Sequence, residues 1–205
     1  MQDIKQVNDK QIIVLTAPSG GGKTTLRNHV LATVHDLEFS VSCINRPPRP
    51  GEIHGKDYWF KTTEEFMAMK HDNEFLECEE VYPGRWYGTP VSELERVMKK
   101  NNHHILLDVD VKGAANIKRQ YPQAKVIFIT PPSIEILVHR LEGRGDTPTE
   151  QLKERVAKAP HELEFGYQMM AAKIFDVALR NEQLENAKAA IVTLVNNFIG
   201  RPRVA

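Results

Sequence analysis

The run Ala17-Pro18-Ser19-Gly20-Gly21-Gly22-Lys23-Thr24 is one residue short of the G-x-x-x-x-G-K-[ST] pattern, because alanine stands where the first glycine would be. Three consecutive glycines let the backbone approach a phosphate, so that its N–H groups converge on the anion at the positive end of a helix. Lys23 is then expected to reach the β- and γ-phosphates, and the Thr24 hydroxyl to hold Mg2+ directly. A second candidate is Asp108, the carboxylate that ends the apolar run Ile105-Leu106-Leu107; many phosphate-loop enzymes support Mg2+ there through its waters. Each motif alone has a blander reading, a glycine-rich turn with an incidental lysine and a strand that ends in a polar residue. Together they point to a nucleoside triphosphate.

Such chemistry needs a strand before the glycines and a helix after them. Residues 12–16 form a continuous apolar run, as in a parallel strand buried on both faces. A helix is expected from 23 to about 34, with Leu26, Val30, Leu31 and Val34 on one stripe. Leu37, Phe39, Val41 and Cys43 alternate with Glu38, Ser40 and Ser42 at the period of a half-buried strand, which puts Ser42 on the polar face. Residues 45–89 read differently. They hold a short aromatic strand at 58–60, a small helix opened by a Thr62-x-x-Glu65 capping box, and an antiparallel hairpin of 75–81 and 86–89 turning at Tyr82-Pro83-Gly84-Arg85. The earlier pattern resumes with a helix at about 90–100, strands at 104–109 and 125–130, and a helix carrying Ile134, Leu137, Val138 and Leu141. A polar, glycine-bearing loop at 143–148 precedes a helix from about 149, interrupted or kinked near Pro160. A short strand near 175–179 and a closing helix at 184–199 complete an α/β fold with a parallel sheet core and one inserted, mixed or antiparallel sub-domain.

Composition limits the partners. The 205 residues set 27 Lys and Arg against 27 Asp and Glu, and zero net charge argues against a protein that coats nucleic acid or an anionic membrane. Cys43 and Cys78 fit no zinc or CxxC spacing, so a reduced compartment is expected. No apolar run approaches the ~18 residues of a membrane span, and the first ten residues lack the apolar core of a signal peptide. The expectation is a cytoplasmic protein with neither nucleic acid nor membrane as partner, built as one domain with sub-domains. His103-His104 has no third ligand at a useful spacing and reads as the cap of a surface turn before a strand.

From Arg46 the text Arg46-Pro47-Pro48-Arg49-Pro50-Gly51-Glu52-Ile53-His54-Gly55-Lys56-Asp57-Tyr58-Trp59-Phe60 closely resembles the signature of guanylate kinases. The similarity continues through Asn73-Glu74-Phe75-Leu76-Glu77, Trp86-Tyr87-Gly88-Thr89, Asp108-Val109-Asp110 and Leu141-Glu142-Gly143-Arg144-Gly145. The resemblance implies a phosphate-loop NTPase fold in which ATP, with Mg2+, donates a phosphoryl group to GMP, and by extension dGMP, to give ADP and GDP. It implies a core at about 1–41, 90–137 and 157–205, a GMP-binding insert at about 42–89 and a lid at about 138–156. Residues Ala17, Pro18, Ser19, Gly20, Gly21, Gly22, Lys23, Thr24 and Thr25, with Arg140 and Arg144, fall where the family binds ATP. Arg46, Arg49, Tyr58 and Tyr87 correspond to ligands of the GMP phosphate, and Ser42, Glu77 and Thr89 to those of guanine. Asp108 and Asp110 lie near the metal and the acceptor, and Lys23, Arg49, Arg144 and Arg155 are the implied catalytic cations.

Guanine offers N1–H and N2–H2 side by side, and a carboxylate such as Glu77 is the acceptor-only group that takes both. Without the resemblance, Glu77 would read as a solvated strand carboxylate beside Glu79 and Glu80. Departures from the family pattern are Ile44-Asn45, where two hydroxyl residues are usual, a longer hairpin at 81–85, and Pro160 in a helical region. Two other readings stay open. One is a catalytically silent guanylate-kinase-like interaction module, against which the intact Lys23-Thr24 speaks; the other is a phosphate-loop kinase with a different acceptor, against which Ser42, Glu77 and Thr89 speak.

Overall fold

The computed structural model describes residues 10–100, 103–143 and 149–201, with the backbone alone for 149–151. The apolar run becomes β1 (Ile12–Thr16), buried throughout. Strand side chains alternate between faces, and Ile12 and Val14 enter one core layer while Ile13 and Leu15 enter the other. Both faces are therefore apolar, and no polar alternation shows in the run. β7 (His104–Val109) and β8 (Lys125–Thr130) flank β1 and divide their side chains in the same way. With β2 (Leu37–Phe39) and β9 (Val177–Arg180) at the edges, the order is β2-β7-β1-β8-β9, every neighbour parallel.

One face of this sheet is covered by α1 (Lys23–Thr33) and α7 (Leu184–Phe198), which supply Leu26, Val30, Ile191 and Val195. The other is covered by α3 (Val91–Met98), α4 (Val111–Gln120) and the C-terminal half of α6 (Thr149–Ala171). Gly166 of α6 lies directly on the Phe128 ring; a methyl group there would overlap the ring, so only glycine lets the helix seat this close to β8. α5 (Ile134–Glu142) packs on α6 through Leu137, Leu141 and Ala159.

The insert is a second sheet of four strands, in the order β4 (Trp59–Phe60), β3 (Cys43–Ile44), β6 (Arg85–Pro90), β5 (Phe75–Tyr82). It is mixed, since β3 and β4 run parallel and the other pairs antiparallel. α2 (Thr63–His71) has both hydrogen bonds of the capping box, and its Phe66 stacks on Phe75 with ring centroids 4.5 Å apart. Gly84, at φ 71°, supplies the left-handed position that the hairpin turn requires.

The structure corrects several expectations. The alternation at 37–43 is not one strand: β2 stays in the parallel sheet, β3 belongs to the insert, and residues 40–42 cross between them. Ser40 N–H still donates to Leu106 O at 3.0 Å, whereas Ser42 O accepts from Trp59 N–H at 2.9 Å. Pro90 ends β6 and caps α3 instead of opening its first turn. α4 was not anticipated at all; Asp110 caps it by accepting from Gly113 N–H at 2.8 Å. α6 runs through Pro160 without interruption, the missing backbone donor notwithstanding. His104 opens β7, where its Nδ1 accepts from Gln11 N–H at 3.0 Å. No helix among the described residues is long and apolar enough to cross a membrane.

Candidate active site

β1 delivers the chain into the glycine loop at the C-terminal edge of the parallel sheet, where open α/β folds place their ligands. Gly20 (φ 86°) and Gly22 (φ 92°) take left-handed conformations that L-residues disfavour, and Gly22 caps α1. Ala17 is buried and is not among the positive-φ residues, so the alanine replacing the first glycine of the pattern introduces no backbone strain. Lys23 opens α1. Its Nζ lies 2.7 Å from Asp108 Oδ1 and donates to Val109 O at 2.6 Å, so it points to the end of the adjacent β7. Asp108 is also paired with Arg27, one turn further along α1, at 3.3 Å.

The insert brings its arginines to the same place. Arg46 forms a two-point ion pair with Glu52 (2.6 and 2.7 Å), and Glu52 also accepts from Arg49 N–H at 2.8 Å. This carboxylate closes the Pro/Gly loop and fixes the plane of the Arg46 guanidinium, which lies over the rings of Tyr58 and Phe60. Tyr58 meets Tyr87 edge-on at 6.1 Å. Burial, reinforced by the charge of Asp108, pushes the Tyr58 hydroxyl well above its ordinary range, so it remains a donor. Burial likewise holds Arg49 below its usual value, and repulsion from Arg155 and Arg46 adds to it.

Glu77 of β5 is buried, opposite Thr89 of β6, whose hydroxyl donates to Glu77 Oε1 at 2.7 Å. Burial pushes the Glu77 carboxyl up to about 8; the Thr89 hydrogen bond opposes this, and the charges of Asp110 and Glu79 add to it. α4 presses on the same carboxylate: a methyl group at Gly113 would lie 2.7 Å from Glu77 Oε2. Ser42 sits nearby on the segment that crosses between sheets.

α6 contributes Arg155, buried, with an Nε that has no hydrogen-bond partner, and Glu162, whose Oε2 accepts from Ser19 N–H of the glycine loop at 2.8 Å. Lys158 pairs with Glu162 at 3.1 Å and donates to Val81 O at 2.6 Å, tying α6 to the β5–β6 hairpin. Asn181, just after β9, donates its Nδ2 to Gly21 O at 3.0 Å, and its own carbonyl accepts from Arg140 Nη2 at 3.0 Å.

These elements enclose a cavity of about 480 Å3. Its wall includes the whole loop from Ala17 to Thr25, with Ser42, Arg46, Arg49, Tyr58, Glu77, Tyr87, Asp108, Asp110 and Arg155. Thr89 and Arg140 are not part of the wall: Thr89 reaches it through Glu77, and Arg140 of α5 is turned to the Asn181 backbone carbonyl, while Arg144 falls outside the described residues. Sequence reasoning did not single out Arg27, Glu52, Glu79, Tyr82 and Glu162, which also line the wall, or Asn181 behind the loop. The clearest missed signal was Glu52, a carboxylate inside the quoted run that carries Arg46 and Arg49.

Residues 9–197 match the family model described as guanylate kinase. The chain belongs to the guanylate kinase family. The guanylate kinase of Bacteroides thetaiotaomicron is 43% identical over 199 residues, which cover 97% of this chain and 94% of that one. That of Salinibacter ruber is 41% identical over 192 residues, covering 93% of this chain and 98% of its own. The crystal structure of guanylate kinase from Anaplasma phagocytophilum matches with a TM-score of 0.72 at 29% identity, over 92% of this chain and 85% of that one. The parallel sheet with its glycine loop and the separate mixed sheet are thus a guanylate kinase architecture, a phosphate-loop NTPase fold.

Proposed function

We propose a division of labour for the ATP-dependent phosphorylation of GMP that membership of this family carries with it. The loop from Ala17 to Thr25 takes the ATP phosphates, with Lys23 on the β- and γ-groups. Arg46, Arg49, Tyr58 and Tyr87 hold the GMP phosphate, while Ser42, Glu77 and Thr89 read guanine. Arg140, Arg144 and Arg155 supply positive charge to the phosphoryl group in transit. The insert, about 42–89, is the GMP side, the lid is about 138–156, and the remainder is core.

One observation carries this reading. Arg46, Arg49 and Arg155 converge on one cavity, Arg49 against the charges of the other two, and Arg155 Nε is buried without a hydrogen-bond partner, as is the Nε of Arg46 behind its pair with Glu52. Buried cationic donors of this kind are costly unless an anion completes them. The acceptor oxygen of GMP is already anionic, so the protein needs no strong general base. Its task is to hold two mutually repelling phosphates in line and to stabilise charge on the equatorial oxygens.

Thr24 and Asp108 are the residues that fit Mg2+. No group of three or more His, Cys, Asp or Glu is arranged for a metal among the described residues. A lone hydroxyl and a lone carboxylate suit an ion that draws most of its ligands from phosphate and water. Held by Thr24 and Asp108, Mg2+ would supply neutralising charge to the phosphate groups. Asp108, paired with Lys23 and Arg27, fixes where both of these cations stand at the end of β7. For the base, a site built around the buried Glu77 carboxylate penalises adenine, which lacks the paired donors. The free cysteines suit the reducing cytoplasm.

The test is an ADP-release assay with ATP and Mg2+ against GMP, AMP, UMP and CMP. Turnover confined to GMP is expected; silence with all four would make the protein a non-catalytic binding module.

A further inference from the structure

β5 presents two carboxylates to the nucleotide cavity. Glu77 stands at the rung opposite Thr89, and Glu79 at the next same-face rung, opposite Tyr87. Alternate residues on a strand share a face about 6.8 Å apart. In the reading above, guanine lies at the Glu77 rung and the GMP phosphate at Tyr87, Tyr58, Arg46 and Arg49. The sugar of a nucleoside monophosphate joins the two, so Glu79 stands at its level.

An anionic side chain at the edge of a phosphate site needs a reason to be there. Among the described residues Glu79 makes no ion pair, and it is only partly exposed; it is held by Asn116 of α4, whose Nδ2 donates to Glu79 Oε1. Its second oxygen accepts no protein hydrogen bond among the described residues. α4 is itself firmly seated on β5: Gln120 Nε2 donates to Leu76 O at 2.9 Å, and Gly113 abuts Glu77. The carboxylate is therefore positioned from the core, not left to wander on the insert. A carboxylate is acceptor-only, and at the sugar level the donors of a nucleotide are the ribose hydroxyls. The choice between them follows from the base. The guanine N2 amino group and the ribose 2′-hydroxyl project from the same edge of a nucleotide. A strand whose Glu77 meets N1 and N2 meets the 2′-hydroxyl with its next same-face residue.

We propose that Glu79, positioned by Asn116, accepts a hydrogen bond from the 2′-hydroxyl of GMP and makes this enzyme prefer GMP to its 2′-deoxy analogue. The inference rests on the assignment of Glu77 to guanine. A hydrogen bond to a charged acceptor corresponds to a preference of roughly 10- to 100-fold.

The experiment compares kcat/KM for GMP and dGMP in the wild type and in Glu79→Ala, Asn116→Ala and Glu77→Gln. The wild type is expected to favour GMP by roughly 10- to 100-fold. Glu79→Ala lowers the GMP value, spares dGMP and brings the ratio toward one. Asn116→Ala moves the ratio in the same direction but less far, chiefly through the KM for GMP; a merely structural loss would lower both substrates together. A wild-type ratio near one, or a ratio that survives Glu79→Ala, overturns the proposal. Glu77→Gln distinguishes the two layers of the argument: it should weaken both substrates alike and leave the ratio intact. If it weakens neither, the guanine assignment itself is wrong.

Discussion

Glu77 is placed where its ionised form is disfavoured, and yet the role proposed for it is that of an anion. Burial and the nearby Asp110 and Glu79 push its carboxyl from an ordinary 4.5 up to about 8, so at neutral pH the folded chain holds a proton there that the unfolded chain has released. Its contribution to stability is therefore fully present below about 4.5 and lost as pH rises through about 8. Guanine binding has the opposite requirement, because N1–H and N2–H2 donate to a carboxylate. GMP binding at pH 7 should then release close to one proton, and none at pH 9, where Glu77 is already ionised; affinity should rise with pH up to about 8. Calorimetry in two buffers of different ionisation enthalpy reads the proton count directly, and Glu77→Gln should abolish it. An unchanged count in that variant would sink the role given to Glu77. Residues such as Lys23, Thr24, Arg46 and Arg49 were legible in the sequence because each stands in a contiguous motif with its partners. Arg27 and Glu162 were not, since on a helix they look like ordinary surface charge. Only the approach of α1 to Asp108, and of α6 to Ser19 N–H, gives them a purpose.

At the scale of elements, the strands of the parallel sheet were readable because burial on both faces leaves an unbroken apolar run, as in β8. α4 was not, because its buried face is made of Val111, Gly113, Ala114, Ala115 and Ile117, mostly residues too small to stand out as an apolar stripe. The small residues have a purpose that only packing reveals: they let α4 lie close against β5 and its carboxylates. Gly113→Ala puts a methyl group 2.7 Å from Glu77 Oε2. It should raise the KM for GMP by about tenfold or more, equivalent to about 1.4 kcal/mol, and leave the KM for ATP unchanged. Steady-state kinetics with each substrate varied in turn decides this, and equal effects on both would show that α4 had shifted as a whole. The crossing at residues 40–42 escaped sequence reasoning for a different reason. Leu37 to Cys43 keeps a period of two in residue type through the crossing, yet Ser40 and Ser42 are buried along with Val41 and Cys43, and period alone cannot say which sheet a residue joins.

For the molecule as a whole, 27 positive and 27 negative side chains cancel in sum but not in place. Lys23, Arg27, Arg46, Arg49 and Arg155 share the cavity wall with Glu52, Asp57, Glu77, Glu79, Asp108, Asp110 and Glu162, so the attraction an incoming dianion meets is local, at the arginines Arg46, Arg49 and Arg155. Screening shortens from about 10 Å at 0.1 M salt to about 3 Å at 1 M. The KM for GMP should accordingly rise several-fold over that range while kcat changes less, and a flat KM would refute a role for those arginines in drawing the dianion in. α6 gives this layout a mechanical side. It comes closest to the sheet at Gly166 against Phe128, within the half that packs on the core through Leu163, Phe165, Met169 and Met170, and carries Arg155 about 16 Å away along its axis. A beam resting on a fulcrum amplifies small rotations: a tilt of about 10° at Gly166 sweeps the guanidinium through about 3 Å, the length of a hydrogen bond, while the contact at the pivot hardly changes. The reach of that arginine for a given tilt is thus set by where along the helix a residue without a side chain was placed.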